Sequence, residues 1–300
     1  MESNFFVRRI KALFPVAALA VVALIAVTTA MTILGDTQSA TPIVPSGSTT
    51  ATPTIAVSGS PSAVPTETPS PVMTVPLPSA MPVIITVYKG EHDPHHIWYV
   101  VWRYPQFRSS TTPLASLVNQ DILDEVDTRI TAFEGGPAAV EQLPGKTNNL
   151  TGTFTVDMLS YDLVSLTLRW VDDTSPAHAA TNIETLTYAL NSGERLDFGQ
   201  LFTDTPAALA ILSAQSREQL RKSLGADYDP TVVEDGTAAV GTNFDNWALT
   251  PAGLKIVFAE YQVGTYADGM PVVVIPWSSL KSVMQPDGPA ARLAGFPTPT

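Results

Sequence analysis

The stretch with the greatest potential for chemistry is GEHDPHHIWYVVW, residues 90–102, which holds three of the four histidines of the chain. Imidazole nitrogens and carboxylate oxygens are common zinc ligands, and both occur here: Glu91, His92, Asp93, His95 and His96. The Asp-Pro pair in the middle predicts a turn, so the histidines lack the spacing of two ligands on one helical face. The fourth histidine, His178, stands alone in a predicted loop. We therefore interpret 90–96 as a solvated turn that enters a strand, and we predict neither a metal nor a cofactor.

Other catalytic signatures are missing from the sequence. It contains no G-x-S-x-G nucleophile elbow, no phosphate-binding Walker loop and no dinucleotide fingerprint. The acidic run DILDEVD lies on a predicted helix, where carboxylates are most often solvated. A Ser-His-Asp triad assembled by the fold stays open, because such a triad has no fixed sequence spacing.

Composition excludes several classes of protein. The chain has no cysteine, which excludes disulfides, thiolate metal sites, a cysteine nucleophile and a lipidated cysteine anchor. Its formal net charge of −12 would repel a phosphate backbone, so we predict no binding to nucleic acid.

The N-terminal region has the pattern of a membrane anchor. Arg8, Arg9 and Lys11 precede an uncharged apolar run over 12–35, which is long enough to cross a bilayer. Because the basic residues stand before the run, we predict that 1–11 is a short cytoplasmic segment and that the rest of the chain is extracytoplasmic. A cleaved signal peptide ending at Ala30 is the alternative, but apolar residues continue beyond that point.

Residues 36–82 are dominated by Pro, Ser and Thr and lack periodic large apolar side chains. This composition predicts a disordered stalk, serving as a plain spacer or carrying O-glycans. The foldable domain is then 83–285, and 286–300, ending in FPTPT, is predicted to be a disordered tail.

The pattern inside the domain predicts an α+β fold. Both faces of 96–104 are apolar, which indicates a strand buried on two sides, whereas 113–133 repeats apolar residues at helical spacing. Three alternating strands follow, over 152–159, 161–170 and 182–190, and then a helix over 203–224 with Thr205 as N-cap. Two strands, over 254–263 and 270–277, and a short helix over 276–284 complete the domain. We predict an antiparallel β-sheet with two main helices packed on one face.

The stretch NWALTPAGLKIVFAEYQVGTYADGMPVVVIPWSSLKSVM, residues 246–284, resembles the extracytoplasmic C-terminal domain of RsiV-type anti-sigma factors. The resemblance is carried by Tyr261, Val263, Tyr266, Ala267, Gly269, Ile275, Pro276 and Leu280. Upstream, LNSGERLDFGQLF is similar to the same domain. WRYPQF and LVNQDI are similar to a companion region found there and beside a peptidoglycan deacetylase. Those anti-sigma factors span the membrane and sense lysozyme, and their domain is one of unknown function.

The resemblance implies a non-catalytic binding or sensor module for an envelope ligand, either a lysozyme-like protein or cell-wall glycan. An acidic surface suits a basic lysozyme-like partner through electrostatic steering. We expect Tyr261, Tyr266, Asp268 and Trp277 to contact the ligand, because they lie near predicted loops. A segment of eleven residues before the membrane is too short for a folded sigma-binding unit, so we do not expect anti-sigma activity. An envelope-polymer hydrolase with a fold-assembled site and a structural tether remain as alternatives.

Overall fold

The computed structural model describes residues 81–95, 97–110, 114–136, 146–175 and 177–297. The predicted cytoplasmic segment, membrane anchor and most of the stalk, residues 1–80, lie outside this part of the chain. Within the described ranges, no helix has the length and apolar character required to cross a bilayer.

The described residues form a mixed α/β fold with four α-helices and an antiparallel-rich sheet. The elements in chain order are β1 (Ile84–His92), β2 (Trp98–Phe107), α1 (Ala115–Glu134), β3 (Asn148–Leu159), β4 (Leu163–Asp173), β5 (Ala180–Ala189), β6 (Glu194–Arg195), α2 (Thr205–Leu224), α3 (Pro230–Gly236), β7 (Trp247–Leu249), β8 (Gly253–Val257), β9 (Val272–Pro276) and α4 (Trp277–Leu280).

The strands form two sheets, one of six strands in the order β1-β2-β3-β4-β5-β6 and one of three strands in the order β7-β8-β9. The predicted antiparallel run β3-β4-β5 is confirmed. The prediction of a wholly antiparallel sheet is wrong at one place, because β2 and β3 pair in parallel. Helix α1 makes this possible, since it connects the two strands as a crossover. Strand β1 was not predicted, and its last residue is His92.

Helix α1 covers one face of the six-stranded sheet. Its apolar stripe is buried against the inward residues of β2, which include Val100 and Trp102. The opposite side chains of β2 are exposed, with Tyr99 at 41% and Val101 at 45%. The predicted burial of this strand on both sides is therefore wrong. Apolar residues occur on both faces of β2, but the second sheet covers the outer face elsewhere, with β7 packed on β3, β4 and β5.

Helix α2 packs against the three-stranded sheet and not beside α1, so the predicted placement of both main helices on one face is wrong. A larger hydrophobic core joins α2 to the second sheet through Leu212, Leu220, Ile256, Phe258 and Ile275. The helix begins one residue earlier than predicted, at Thr205, so its N-cap is Asp204 in place of Thr205. The Asp204 carboxylate accepts a hydrogen bond from the Ala207 N–H at 2.9 Å.

Polar contacts link the two sheets inside the fold. The Ser165 hydroxyl lies 2.7 Å from that of Thr187 and accepts the Leu249 N–H at 2.9 Å, which fixes β7 on β4 and β5. On the neighbouring strand, the Lys255 ammonium lies 2.5 Å from the Asp157 carboxylate. Because unpaired polar groups are costly to bury, these pairs define how the sheets sit on each other.

The end of the chain belongs to the folded domain as far as residue 297, contrary to the predicted tail over 286–300. Residues Ala291–Ala294 form a 3-10 turn, and Ala290, Ala291 and Ala294 are buried. Arg292 forms an ion pair with Asp162 in the turn between β3 and β4.

Candidate functional site

The loop between β8 and β9, residues 258–271 (the tyrosine loop), carries two exposed tyrosines beside a histidine from the β4–β5 loop. The Tyr266 ring stacks on His178 with centroids 4.1 Å apart and an interplanar angle of 29°. Tyr261 lies 6.0 Å from Tyr266 and 6.3 Å from His178, tilted by 32° and 38°. The three rings, His178, Tyr261 and Tyr266, are inclined to one another by 29°, 32° and 38°, and we call them the aromatic cluster.

Hydrogen bonds fix the rings of the cluster. The Tyr261 hydroxyl lies 3.1 Å from Nε2 of His178, and the Tyr266 hydroxyl donates to the Ala179 carbonyl at 3.2 Å. Nδ1 of His178 lies 3.2 Å from the same carbonyl. With its hydroxyl and ring nitrogens already engaged, the cluster offers mainly ring faces and edges to a ligand.

Side-chain hydrogen bonds hold the first part of the tyrosine loop. The Glu260 carboxylate accepts the Thr181 N–H at 3.1 Å, which attaches the loop to the start of β5. The Gln262 side chain accepts the Ala259 N–H at 2.9 Å and donates to the carbonyls of Gly236 and Asn243 at 3.0 and 2.9 Å. The loop is thus preorganised, which lowers the entropy lost when a ligand binds.

Tyr261 has an unusual backbone. Its φ of 65° makes it the one positive-φ residue other than glycine in the described part of the chain. This conformation is unfavourable for a residue with a β-carbon, by roughly 1–2 kcal/mol. Its side chain is nevertheless 52% exposed, so the strain does not serve to bury the ring. Backbone strain that presents an exposed ring is a feature of functional loops.

Of the four residues predicted to contact a ligand, the structure brings Tyr261 and Tyr266 together on this surface. Asp268 belongs to the same loop, where its carboxylate accepts the Thr265 N–H at 2.7 Å and the Thr265 hydroxyl at 2.8 Å. These two hydrogen bonds, the backbone one first, lower the pKa of Asp268. Asp268 therefore shapes the loop as a capping residue and leaves an acidic charge beside the aromatic cluster.

Trp277 lies elsewhere and does not join the cluster. It is 5% exposed within the larger core, and its indole N–H donates to the Thr250 carbonyl at 2.9 Å. The residue that sequence reasoning missed is His178, which is far from the tyrosines along the chain. A lone histidine in a loop gave no signal of its own, because only tertiary packing places it against Tyr266.

The histidine-rich stretch is divided between two elements. His92 ends β1, whereas His95 lies in the following turn, where its N–H donates to the Asp93 carboxylate at 2.7 Å. His96 lies outside the described residues. Within the described ranges, no three His, Cys, Asp or Glu side chains are grouped closely enough to hold a metal ion.

A group of charged residues lies between α1 and the six-stranded sheet. Arg195 contacts Glu125 at 2.6 Å and Glu184 at 2.7 Å, and Arg129 contacts Glu184 at 2.6 Å. Burial opposes ionisation of Glu184, but Arg195 and Arg129 outweigh it and lower its pKa. Burial, followed by the charge of Glu184, raises the pKa of Glu125. These carboxylates are held by guanidinium groups, so the network fastens α1 to β5 and β6.

Comparison with known proteins places the tyrosine loop in a recognised family segment. Residues 199–278 match the family model described as "Protein of unknown function (DUF3298)", and all four predicted contact residues fall within that match. His178 lies outside it. No protein with curated annotation matches the chain.

Two solved structures of this family are similar to the chain. One is a DUF3298 family member from Bacteroides fragilis NCTC 9343, 14% identical, with a TM-score of 0.51, covering 73% of this chain and 98% of its own. The other, from Pseudomonas aeruginosa PAO1, is 13% identical with a TM-score of 0.47, covering 70% of this chain and 97% of its own. The first likeness shows that the chain shares a fold with a DUF3298 protein. An identity of 14% is too low for a function to be transferred.

Proposed function

We propose that the protein is a membrane-anchored binding module, displayed outside the cytoplasm, that recognises an envelope ligand through its tyrosine loop. The observation that carries this proposal is the exposed aromatic cluster on a preorganised loop, with Tyr261 held at positive φ. The ligand classes are a basic, lysozyme-like protein and cell-wall glycan. The resemblance to RsiV-type domains suggests both ligand classes, and it favours the lysozyme-like protein.

The chemistry of the cluster fits these ligands. Tyrosine rings give a large contact area with few rotatable bonds, and tyrosine is enriched among the residues that contribute most to binding energy. The ring faces attract Lys and Arg side chains by cation–π interaction. Glu260 and Asp268 beside the rings add negative charge, so a basic partner gains both an electrostatic and a stacking contribution.

The charge distribution supports a basic partner more than a neutral one. The whole-chain charge of −12 comes from 16 basic and 28 acidic residues, and 1–80 holds three of each: Arg8, Arg9, Lys11, Glu2, Asp36 and Glu67. Residues 81–300 therefore have 13 basic and 25 acidic side chains, which again gives −12. A field of this sign speeds encounter with a basic protein and weakens as salt is added.

The test uses the full chain in detergent, immobilised and exposed to hen-type lysozyme or to solubilised cell-wall fragments. We expect saturable binding without turnover, loss of at least tenfold in affinity for Tyr261→Ala and Tyr266→Ala, and weaker lysozyme binding at high salt. Tyr161→Ala is the matched control, because Tyr161 is similarly exposed, at 47%, but lies in the β3–β4 turn.

Three results would contradict the proposal. Equal binding by all three variants would place the contact surface elsewhere. Steady release of products from the cell-wall fragments would favour the hydrolase alternative. Failure to bind either ligand would favour the alternative that the protein is a structural tether. The anchor is tested separately, by showing that the chain sediments with membranes and keeps Met1 after expression.

A further inference from the structure

Strand β1 is the outer edge of the six-stranded sheet, and its hydrogen-bonding pattern can be assigned residue by residue. At one end the Asp93 N–H donates to the Trp98 carbonyl at 3.1 Å, and at the other the Arg108 N–H donates to the Val83 carbonyl at 3.0 Å. The register between these ends is continuous. Bonded pairs alternate with non-bonded pairs in an antiparallel ladder, so the odd-numbered residues of β1 bond to β2.

The even-numbered residues of β1 therefore point their N–H and C=O groups away from the sheet. For Ile84, Thr86, Tyr88 and Gly90, none of these groups has a hydrogen-bond partner within the described part of the chain. A row of such groups is a template for pairing with another strand. Tyr88, in the middle of this row, is 71% exposed.

Elsewhere the protein protects its strand edges with side-chain amides. On β9, the outer strand of the second sheet, Gln219 donates to the Val274 carbonyl at 2.9 Å and accepts the Val274 N–H at 3.1 Å. Asn119 does the same at the end of β2, bonding the Phe107 N–H and carbonyl at 2.7 and 2.9 Å. No described residue makes such a contact with Thr86, Tyr88 or Gly90, so β1 differs from these edges.

The charges along this edge are mainly acidic. Lys89 lies 2.7 Å from Asp127 and 3.1 Å from Glu91, and Glu91 also contacts Glu134. One ammonium thus stands among three carboxylates, all on the side of the sheet that faces α1. A second copy of the chain would bring two such acidic edges together, in addition to two net charges of −12. A strand with basic side chains would reduce this repulsion.

We propose that β1 accepts a basic, extended segment of a partner protein as an added strand. The backbone of the segment pairs with Thr86, Tyr88 and Gly90, and its Lys or Arg side chains lie on the α1 side beside Glu91 and Glu134. Main-chain pairing supplies affinity, and alternate side chains supply selectivity. This surface lies on a different element from the tyrosine loop, so it does not depend on the proposed function.

The test measures binding of two fluorescein-labelled peptides, TKTKTKTKT and TETETETET, to the full chain in detergent. Three chains are compared: wild type, Thr86→Pro and Thr86→Ala. Proline at an outward-facing edge position removes the free N–H without removing a bond to β2, so this variant is expected to fold with a melting temperature within a few degrees of wild type. Thr86→Ala keeps the N–H and is the matched control.

We expect saturable binding of the lysine peptide, a loss of at least tenfold for Thr86→Pro, and a change of less than twofold for Thr86→Ala. The glutamate peptide should bind at least tenfold more weakly, and hydrogen exchange over 84–92 should slow when the lysine peptide is present. Tyr161→Ala, in the turn between β3 and β4, should bind the lysine peptide as wild type does.

Each of the other outcomes overturns the proposal. One is the absence of saturable binding below about 1 mM, a limit that corresponds to roughly 4 kcal/mol of binding free energy. Another is equal affinity for both peptides, and a third is unchanged affinity in Thr86→Pro. Self-association of the chain that Thr86→Pro abolishes would make a second copy the occupant of this edge.

Discussion

The ring of Tyr266 stacks on the imidazole of His178, with centroids 4.1 Å apart, although 87 residues lie between the two along the chain. This contact joins the tyrosine loop to the β4–β5 loop and therefore connects the two sheets at the surface. The ring of Tyr261 approaches the same histidine through its hydroxyl. The surface that we propose as a ligand site thus depends on residues from both sheets.

Replacing Tyr261 by asparagine should separate stability from binding. Asparagine tolerates positive φ better than tyrosine, so the substitution relieves backbone strain while it removes an exposed ring. We expect the free energy of unfolding to stay the same or to rise by up to about 1 kcal/mol, whereas affinity for the ligand falls. Urea denaturation and the binding assay on the same sample measure the two effects. A loss of more than about 1 kcal/mol in stability would mean that the ring itself supports the loop.

Gly152 should be intolerant of any side chain. A β-carbon placed there would lie 2.1 Å from the indole of Trp102, which is fully buried. We expect Gly152→Ala to lower the free energy of unfolding by about 1–3 kcal/mol, because the core must move to make room. The measurement is urea denaturation followed by tryptophan fluorescence. Gly199→Ala is the control, since the space around Gly199 is open, and equal stabilities of the two variants would refute this explanation.

Much of the domain could be predicted from apolar periodicity. The pattern of Val118, Ile122 and Val126 predicted α1, because that stripe is buried, and alternation predicted β3, β4 and β5, although 163–168 of β4 are buried on both faces. Strand β1 was missed because it lies at an edge and its burial follows no clean alternation. The parallel pairing of β2 with β3 was missed for another reason, since periodicity within a strand says nothing about its neighbour.

The candidate site was predictable only in part. Tyr261 and Tyr266 stand near turns in the sequence, and the family resemblance directed attention to them. The sequence did not indicate whether Trp277 is buried or exposed, because a tryptophan at a strand-to-helix junction can face either the core or the solvent. His178 and Thr181 contribute through tertiary contacts with residues more than 75 positions away, and no local pattern encodes such contacts.

Arg195 should be essential to the charged network, in a manner that depends on pH. Arg195→Met leaves Glu125 with only the more distant Arg129, at 3.5 Å, and removes one of two partners of Glu184. Because unpaired buried charges are costly, we expect a loss of about 3–5 kcal/mol in the free energy of unfolding at pH 7.

The difference between this variant and wild type should shrink as the pH is lowered towards 4. In wild type the pKa of Glu184 is lowered on folding, so its stabilising contribution is present above its ordinary pKa and is lost as the pH falls through the folded value. In the variant the carboxylates are easier to protonate in the folded state, so acid removes their repulsion. Urea denaturation at several pH values measures this. Arg221→Met, which removes an exposed cation that contacts Tyr228, should change stability little and equally at each pH.

The ion pair between Asp157 and Lys255 should couple the two sheets energetically. Their side chains are only 9% and 16% exposed, and the Thr167 hydroxyl contacts both, at 2.6 and 3.0 Å. Either Asp157→Asn or Lys255→Met leaves one group without its charged partner, so each should cost about 3–5 kcal/mol. The double variant should cost less than the sum of the two, with an interaction energy of about 1–3 kcal/mol, because the second substitution removes the charge that the first left unpaired. Urea denaturation of the four proteins gives this value. Additive losses would mean that the pair does not hold β8 to β3, and that the apolar contacts around it hold the sheets together without its help.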